Sequence, residues 1–266
     1  MDDLVRRYLR QQIELGGAEV VLTDDVQKRA DTMAKTRGAP TEAPLTPGAK
    51  AVGAGATDWR IGAPPIPEAG LTIIAPVAEA GATWSNLAEV ATAIEACRKC
   101  FLAEGRTKVV PGEGNPHAEL VLVGEGPGQT EDQTGRPFVG RAGELLNGIL
   151  AAIGYTREQV FICNVVKCRP PQNRKPLPEE MASCSPYLTA QLALIKPKVI
   201  LALGATAAEA LLQSKRSLSD LRLKVHSYRG TPLVVTYHPA ALLRNPNWKK
   251  PTWDDVRIAR QLIDRG

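Results

Sequence analysis

Four cysteines are spaced so that they could share one metal site. Cys97 and Cys100 form a C-x2-C pair, Cys168 follows after 67 residues, and Cys184 follows after 15 more. Four thiolates gathered in this way can ligate an iron–sulfur cluster, although the ligand type alone also suits zinc. Because the long gap lets a metal tie an N-terminal knuckle to the middle of a folded domain, the spacing predicts a structural site.

The fifth cysteine and the N-terminus indicate the setting of this site. Cys163 lies in an apolar run beside Asn164, and strand alternation points the two side chains to opposite faces, so we expect a buried thiol that is not a ligand. The first residues lack a basic region followed by an apolar one, and no stretch approaches about 18 apolar residues, so we expect no signal peptide and no membrane span. We therefore expect a cytoplasmic location, where C-x2-C indicates metal binding or redox chemistry rather than a disulfide.

Charge is distributed unevenly along the 266 residues. Residues 1–95 carry 9 Lys and Arg against 13 Asp and Glu, a net charge of −4, whereas residues 96–266 carry 24 against 15, a net charge of +9. A basic globular part favours a polyanionic partner, although an ordinary solvated basic surface has the same composition.

A glycine-rich turn and an aromatic loop follow the first apolar run of the globular part. Gly124, Glu125, Gly126, Pro127 and Gly128 come directly after apolar residues. Such a turn lets backbone N–H groups approach a ligand closely, although a plain strand-to-helix turn has the same composition. A phenylalanine follows in the loop 134–140, where it could stack on a planar ligand or pack into the core.

Polar residues also lie near the ends of two later apolar runs. The amide of Asn164 offers a donor and an acceptor that match one edge of an amide-like ring, or that could cap local backbone. His238 could donate a hydrogen bond to a developing anion or serve a structural role. If exposed on the same loop, Leu242 and Leu243 could wedge between stacked bases.

Four apolar runs alternate with helical patterns in residues 86–265. This alternation predicts an α/β fold with three α/β/α layers and a central, mainly parallel four-stranded sheet. Ligands of such sheets bind beyond the carboxyl ends of the strands, which is where the motifs fall. The predicted strands are 119–123, 160–166, 198–203 and 232–237, and the predicted helices are 140–153, 179–195, 206–213 and 253–263.

The first 84 residues differ in composition from the rest. Residues 1–16 could form a short amphipathic helix, but residues 36–56 are rich in Ala, Pro, Gly and Thr and cannot bury enough apolar surface to offset chain entropy. We therefore predict a disordered or loosely ordered tail or linker over residues 1–84, which could bind a protein partner or have no role of its own. Residues 85–266 are predicted to form one domain, and the protein is predicted to be monomeric.

Taken together, the motifs resemble those of the family 4 uracil-DNA glycosylases, the iron–sulfur type. The resemblance covers about residues 86–265 and leaves out the tail. It is carried by the turn 124–128, the run 134–140, the run 164–171 and the run 238–244. The four cysteines fit the [4Fe–4S] ligand pattern of that family in order and spacing.

This resemblance implies a DNA repair enzyme with a fold like that of uracil-DNA glycosylase. Such an enzyme flips deoxyuridine out of single- or double-stranded DNA and hydrolyses its N-glycosidic bond, which leaves an abasic site. Phe138 would stack on the uracil ring, and Asn164 would bind its O4/N3 edge. Backbone groups of Glu125 and Gly126 would hold O2 or position water. His238 would stabilise the uracil anion, so that Glu125, Asn164 and His238 are the predicted catalytic residues.

The resemblance also implies contacts outside the base pocket. The predicted DNA contacts are Leu242, Leu243 and Arg244. The predicted ligands of a [4Fe–4S] cluster are Cys97, Cys100, Cys168 and Cys184.

Two departures and one alternative bear on the mechanism. Gly126 stands where the most familiar uracil enzymes carry an Asp, so Glu125 is a hypothesis for the group that positions water. Relatives that trap the sugar on a histidine carry it in a basic loop, and residues 171–178 lack one, which favours ordinary hydrolysis by a monofunctional enzyme. The alternative is a DNA-binding or polymerase-associated module of the same fold without glycosylase activity.

Overall fold

Seven strands form one sheet in the part of the chain that the structure describes. This computed structural model describes residues 58–74 and 84–265. The strands are β1 (Ala69–Ile73), β2 (Glu113–Gly114), β3 (Leu120–Gly124), β4 (Phe161–Asn164), β5 (Val199–Leu203), β6 (Val225–Tyr228) and β7 (Thr231–Thr236). Their order across the sheet is β1-β6-β7-β5-β3-β4-β2, and neighbours run parallel except in the pairs β6–β7 and β2–β4.

Helices pack on both faces of this sheet. Within the described ranges they are α1 (Leu87–Glu95), α2 (Leu102–Gly105), α3 (Gln129–Thr134), α4 (Arg141–Ala152), α5 (Pro178–Ile195), α6 (Ala205–Leu212), α7 (Leu218–Leu221), α8 (Pro239–Arg244) and α9 (Lys249–Arg265). Short 3-10 turns lie at Arg157–Gln159, Pro171–Asn173 and Pro246–Trp248. None of the helices that the structure describes is both long enough and apolar enough to cross a bilayer.

The side chains of β3 show how the layers are built. Val121 and Val123 belong to a buried cluster with residues of α1, α5 and α6, whereas Leu120 and Leu122 belong to a second cluster with residues of α4 and α9. Successive side chains of a strand point to opposite faces, so the two clusters are the two helix–sheet interfaces. The predicted α/β/α layers and the mainly parallel sheet are therefore confirmed.

The predicted number of strands is wrong, because the sheet has seven strands rather than four. The four predicted strands correspond to β3, β4, β5 and β7, which are adjacent and parallel at the centre. These strands are buried on both faces, and their continuous apolar runs are easy to recognise. The three additional strands are short or lie at the edge of the sheet, where composition carries little signal.

One additional strand is part of a tight hairpin. Arg229 and Gly230 connect β6 to β7 and have φ values of 51° and 85°. Two central residues with positive φ match the twist of an antiparallel pair, and glycine adopts this conformation without steric cost.

The predicted boundary at residue 84 does not hold for the first described segment. Strand β1 pairs in parallel with β6, and the backbone N–H of Leu71 donates to Nδ1 of His226 at 2.9 Å. Trp59 is buried in the same cluster as Leu120. The compact unit that contains the sheet begins at Trp59. Pairing with a strand about 155 positions later in the chain is a tertiary contact, so the local composition could not reveal it. The helix predicted for residues 1–16 lies outside the described residues.

The carboxyl ends of the central strands meet at one edge of the sheet. Gly124 of β3 is in register with Asn164 of β4, and Leu203 of β5 is in register with Thr236 of β7. The loops that leave these strands are therefore brought together, and ligands of parallel sheets bind at this edge.

Candidate active site

A cleft of about 360 Å³ opens at this edge of the sheet. Loops that follow β3, β4 and β7 form its walls. Among its lining residues are all five of the predicted uracil-binding residues and one predicted DNA contact: Glu125, Gly126, Phe138, Asn164, His238 and Arg244.

Asn164 lies at the floor of the cleft with an unsatisfied acceptor. Its side chain is 1% exposed, and Oδ1 has no hydrogen-bond partner in the structure. A buried polar atom without a partner costs about 1–3 kcal/mol, which indicates that a ligand group satisfies it. Gly124, which pairs with Asn164 on the neighbouring strand β3, must be a glycine. A Cβ atom at this position would lie 2.4 Å from Oδ1 of Asn164 and 2.6 Å from the ring of Phe138.

Phe138 is held in the cleft by an unusual backbone conformation. Its φ is 51°, which is a strained region for a side chain of this size, and its ring is largely buried. The ring centroid lies 5.4 Å from that of His238 at an interplanar angle of 32°. Arg157 donates to the carbonyl oxygens of Pro137 and Phe138, which fixes the loop. The ring thus lines the cleft and also packs against the core.

A carboxylate that the sequence reasoning missed holds the same loop. Oε1 of Glu131 accepts hydrogen bonds from the backbone N–H groups of Val139 and Gly140, both at 2.9 Å. Glu131 lies in the first turn of α3 and also lines the cleft. Its position, three residues after the glycine-rich turn, was the only available sequence signal. This clamp fixes the backbone directly after Phe138.

His238 carries a partly buried, neutral imidazole. Burial and the nearby Arg244 lower the pKa of its ring to about 4, although Glu131 opposes the shift. Nδ1 accepts a hydrogen bond from the backbone N–H of Ala240 at 3.2 Å, at the start of α8. The proton of the neutral ring must therefore sit on Nε2, which leaves Nε2–H as the donor that the ring can offer to a ligand.

Glu125 follows β3 directly, and its carboxylate is already engaged. Oε2 accepts a hydrogen bond from the hydroxyl of Thr206 at 2.5 Å. Thr206 is buried in the first turn of α6, so a helix that follows β5 determines the orientation of this acid. Thr206 was not among the predicted residues, because nothing in the sequence links it to Glu125.

The two leucines of α8 have different environments. Leu242 is 1% exposed and belongs to the core cluster with Leu120, whereas Leu243 is 40% exposed. Consecutive residues of a helix point about 100° apart, so only one of them can face the solvent. The predicted DNA contact at Leu242 is therefore corrected, and Leu243 and Arg244 remain as predictions.

The four predicted ligand cysteines line one small cavity, which lies between the knuckle at residues 97–100, the loop after β4 and helix α5. They are Cys97, Cys100, Cys168 and Cys184. Cys163 is buried inside β4 instead, and burial raises the pKa of its thiol. In the described residues no group of three or more His, Cys, Asp or Glu side chains is arranged to hold a single metal ion.

Hydrogen-bond donors approach the sulfurs of this cysteine cavity. Nη1 of Arg106 donates to Sγ of Cys168 at 3.0 Å, and the backbone N–H of Lys167 donates to Sγ of Cys184 at 3.3 Å. Cationic groups and N–H donors stabilise anionic thiolates, so these surroundings fit a thiolate-ligated metal group.

One buried lysine connects the cysteine cavity to the cleft. The ammonium of Lys167 is fully buried and donates to the carbonyl oxygen of Asn164 at 2.8 Å and to Oε1 of Gln191 at 2.6 Å. Gln191 in turn donates to the carbonyl oxygen of Pro111 at 2.7 Å. The backbone at the end of β4 is therefore fixed by the side chain of Lys167, and the backbone N–H of the same residue contacts a cysteine sulfur.

Comparisons with known proteins agree with this arrangement. The family model described as "Uracil DNA glycosylase superfamily" matches residues 111–259. A type-4 uracil-DNA glycosylase of Thermotoga maritima is 47% identical over 180 residues, which cover 66% of this chain and 94% of the relative. Type-4 enzymes of Sulfurisphaera tokodaii and Archaeoglobus fulgidus are 45% and 43% identical and cover 66% and 68% of this chain and 84% and 94% of their own lengths. The matched residues span the cleft and the loops that follow β3, β4 and β7. The chain therefore belongs to the uracil-DNA glycosylase superfamily, in its type-4 group.

Proposed function

We propose that this chain removes uracil from DNA by hydrolysis of the N-glycosidic bond and leaves an abasic site. The observation that carries the proposal is the buried, unpartnered Oδ1 of Asn164 beneath Phe138 and beside a neutral His238. A flat ring with an N–H group would satisfy this acceptor, stack on the phenyl ring and receive a hydrogen bond from the imidazole.

Uracil matches the edge that Asn164 presents. Its N3–H can donate to Oδ1, and its O4 can accept from the amide NH2 group. Cytosine has a bare nitrogen at N3 and an amino donor at position 4, so the same amide would meet acceptor with acceptor and donor with donor. Mismatched polar contacts in a dry pocket cost about 1–3 kcal/mol each, which would exclude cytosine.

His238 would act on the departing base. When the bond from C1′ to N1 breaks, its electron pair stays with uracil, and negative charge develops on the ring oxygen O2. A neutral imidazole with its proton on Nε2 can donate to this oxygen without itself losing a proton. A preorganised donor of this kind typically contributes about 10²–10³ in rate.

Glu125 would position the water that completes the reaction. The sugar becomes an oxocarbenium-like cation, and water adds to C1′ and releases a proton. A carboxylate oriented by Thr206 can both hold the water and stabilise the cation, and Gly126 leaves room beside it. Familiar uracil enzymes carry an Asp at the position of Gly126, and Glu125 would take over its role in this chain.

The outer part of the cleft would hold the DNA. Access to the base requires that the nucleotide leaves the helical stack, and Leu243 is the exposed apolar side chain next to the cleft that could fill the vacated space. Arg244 lines the cleft and makes no ion pair with the described residues, so its charge is free for a phosphate.

The four thiols of the cysteine cavity, with the donors of Arg106 and Lys167 beside them, would hold a thiolate-ligated metal group, which we assign to a [4Fe–4S] cluster. When bound, such a cluster supplies a covalent cross-link between the knuckle, the loop after β4 and α5. The predicted protein partner of the N-terminal segment concerns residues outside the described part.

An excision assay tests the proposal against the binding-module alternative. Purified protein is incubated with single-stranded and duplex oligonucleotides that contain one uracil, and the abasic product is revealed by alkaline cleavage. We expect catalytic turnover on both substrates and none when cytosine replaces uracil. Tight binding without product formation would refute the enzyme and support the alternative.

A further inference from the structure

One exposed phenylalanine lies outside the described active site. Phe101 is 63% exposed, whereas the other two phenylalanines of the chain, Phe138 and Phe161, are 5% exposed. The backbone around it is anchored, because the next residue, Leu102, is buried in the core. A single exposed apolar side chain is ordinary on a protein surface, so the ring gains meaning only from what surrounds it.

Phe101 forms one side of a groove of about 390 Å³, which is comparable in size to the cleft. The opposite side consists of Arg169, Pro170, Pro171 and Gln172. Flat apolar surfaces therefore face each other across a channel that is open to solvent.

The groove and the cleft share a wall. Pro170 lines both of them, while Asn173 and Arg174 line the cleft only. Gln172 and Asn173 have φ values of 55° and 56°, so the chain reverses sharply here. This reversal turns neighbouring residues toward opposite cavities. A strand of nucleic acid that leaves the cleft over Pro170 would enter the groove.

Charge in the groove favours a phosphate backbone. Nε of Arg169 donates to Oδ1 of Asn173 at 2.8 Å, and no carboxylate of the described residues pairs with this guanidinium. By contrast, Arg174 is held by the carboxylate of Glu180. Glu104 is the one acidic residue that lines the groove. The remaining N–H groups of Arg169 are therefore the available donors for a phosphate at the shared wall.

We propose that the groove is a second DNA subsite, in which a base next to the flipped nucleotide stacks on Phe101 while Arg169 contacts the adjoining phosphate. This proposal rests on the proposed function, because the strand must first enter the cleft. Aromatic platforms beside cationic groups are the usual way in which proteins hold unpaired bases, and such stacking does not depend on the base.

The test compares Phe101→Ala with Ile61→Ala, a control at a residue of similar exposure, 54%, in another part of the chain. Affinity is measured by fluorescence anisotropy with a single-stranded oligonucleotide that carries a tetrahydrofuran abasic site in place of the uracil nucleotide. In a further series, each flanking nucleotide is replaced in turn by a second tetrahydrofuran. Visible absorbance and iron content are recorded for every variant.

We expect Phe101→Ala to bind at least about fivefold more weakly, which is the lower end for one base–aromatic stack, with kcat for uracil excision within twofold of the parent protein. The loss should vanish when the tetrahydrofuran occupies one particular flanking position. In a separate variant, Arg169→Gln, the plot of log K against log salt concentration should become less steep by about 0.7, which is the value for one phosphate of a single strand. The control should bind like the parent protein.

Several results would overturn the subsite. One is an unchanged affinity in Phe101→Ala, and another is a loss of affinity that is the same at every flanking position. A third is a loss of iron and of kcat without a change in affinity, which would mean that the ring protects the cysteine cavity from solvent. These outcomes are separate from failure of the proposed function, which would appear as a lack of uracil excision by the parent protein itself.

Discussion

Replacing Asn164 by Asp changes one heavy atom of the base pocket, an amide nitrogen to an oxygen, and almost none of the pocket volume. The substitution removes the NH2 donor to O4 of uracil and introduces a carboxyl group at a position that is 1% exposed. One lost transition-state donor costs about 10²–10³ in rate, or roughly 3–4 kcal/mol. The new negative charge also lies near the uracil anion, so we expect single-turnover excision to fall by at least about 10² at pH 8.

The same variant should respond to pH in a definite direction. Burial raises the pKa of a carboxyl group above its ordinary value of about 3.9, so the introduced carboxyl should take up a proton as the pH falls from 8 to 5. The protonated form regains an O–H donor. His238 stays neutral over this range, because the pKa of its ring is about 4. The rate of the variant relative to the parent protein should therefore rise as the pH falls.

Asn173→Asp provides the matched control. Asn173 lines the same cleft but is exposed, so the variant adds the same charge at the rim without a change in the buried edge. Its rate should stay within a few fold of the parent rate, and Asn164→Asp should bind abasic DNA almost normally. If Asn164→Asp excises uracil at nearly the parent rate, or if the rim variant loses as much, Asn164 does not read the base.

Three further predictions concern the wedge, the cysteine cavity and the neutral imidazole of His238. Leu243→Ala should slow excision from duplex DNA more than from single strands, and equal losses of rate on both substrates would argue against the wedge. Leu242→Ala should instead lower the free energy of unfolding by about 2–5 kcal/mol. Cys184→Ala should abolish iron binding and lower the unfolding temperature, while Cys163→Ala should retain iron, and elemental analysis that finds stoichiometric zinc in the parent protein would contradict the cluster. The pKa of His238 is lowered from 6.5 to about 4 in the folded protein. Between these pH values the unfolded chain binds a proton at this ring and the folded chain does not. The free energy of unfolding therefore falls by ~3 kcal/mol as the pH drops through that window. Urea titrations should show that the free energy of unfolding of His238→Gln falls less than that of the parent protein between pH 7 and 4. If the free energies of unfolding of the two proteins change in parallel with pH, the neutral state of the His238 ring is refuted.

The sequence alone determined the features that depend on local patterns. Continuous apolar runs identified β3, β4, β5 and β7, because the interior positions of strands that are buried on both faces are apolar. The residues that follow these runs were predicted to meet at one edge, since the carboxyl ends of parallel strands always do. For this reason the sequence predicts that Phe138, Asn164 and His238 share one pocket.

Tertiary structure alone decided which side chains those pocket residues contact. The carboxylate of Glu131 reaches backbone N–H groups eight and nine residues later in the chain, and Thr206 contacts Glu125 across 81 residues. Hydrogen bonds of this kind depend on how helices pack against the sheet, and no periodicity of the sequence encodes them.

Burial likewise required the assembled fold. Leu242 and Leu243 are chemically identical neighbours, and only the packing of α8 against the core shows which one is free to contact DNA. Each position of strand β1 is exposed or half-buried, and its place in the sheet depends on β6, which lies more than 150 residues later in the chain. Sequence fixes the chemistry that each residue can perform, whereas exposure and partners are properties of the packed chain, because they depend on contacts between segments that are remote in sequence.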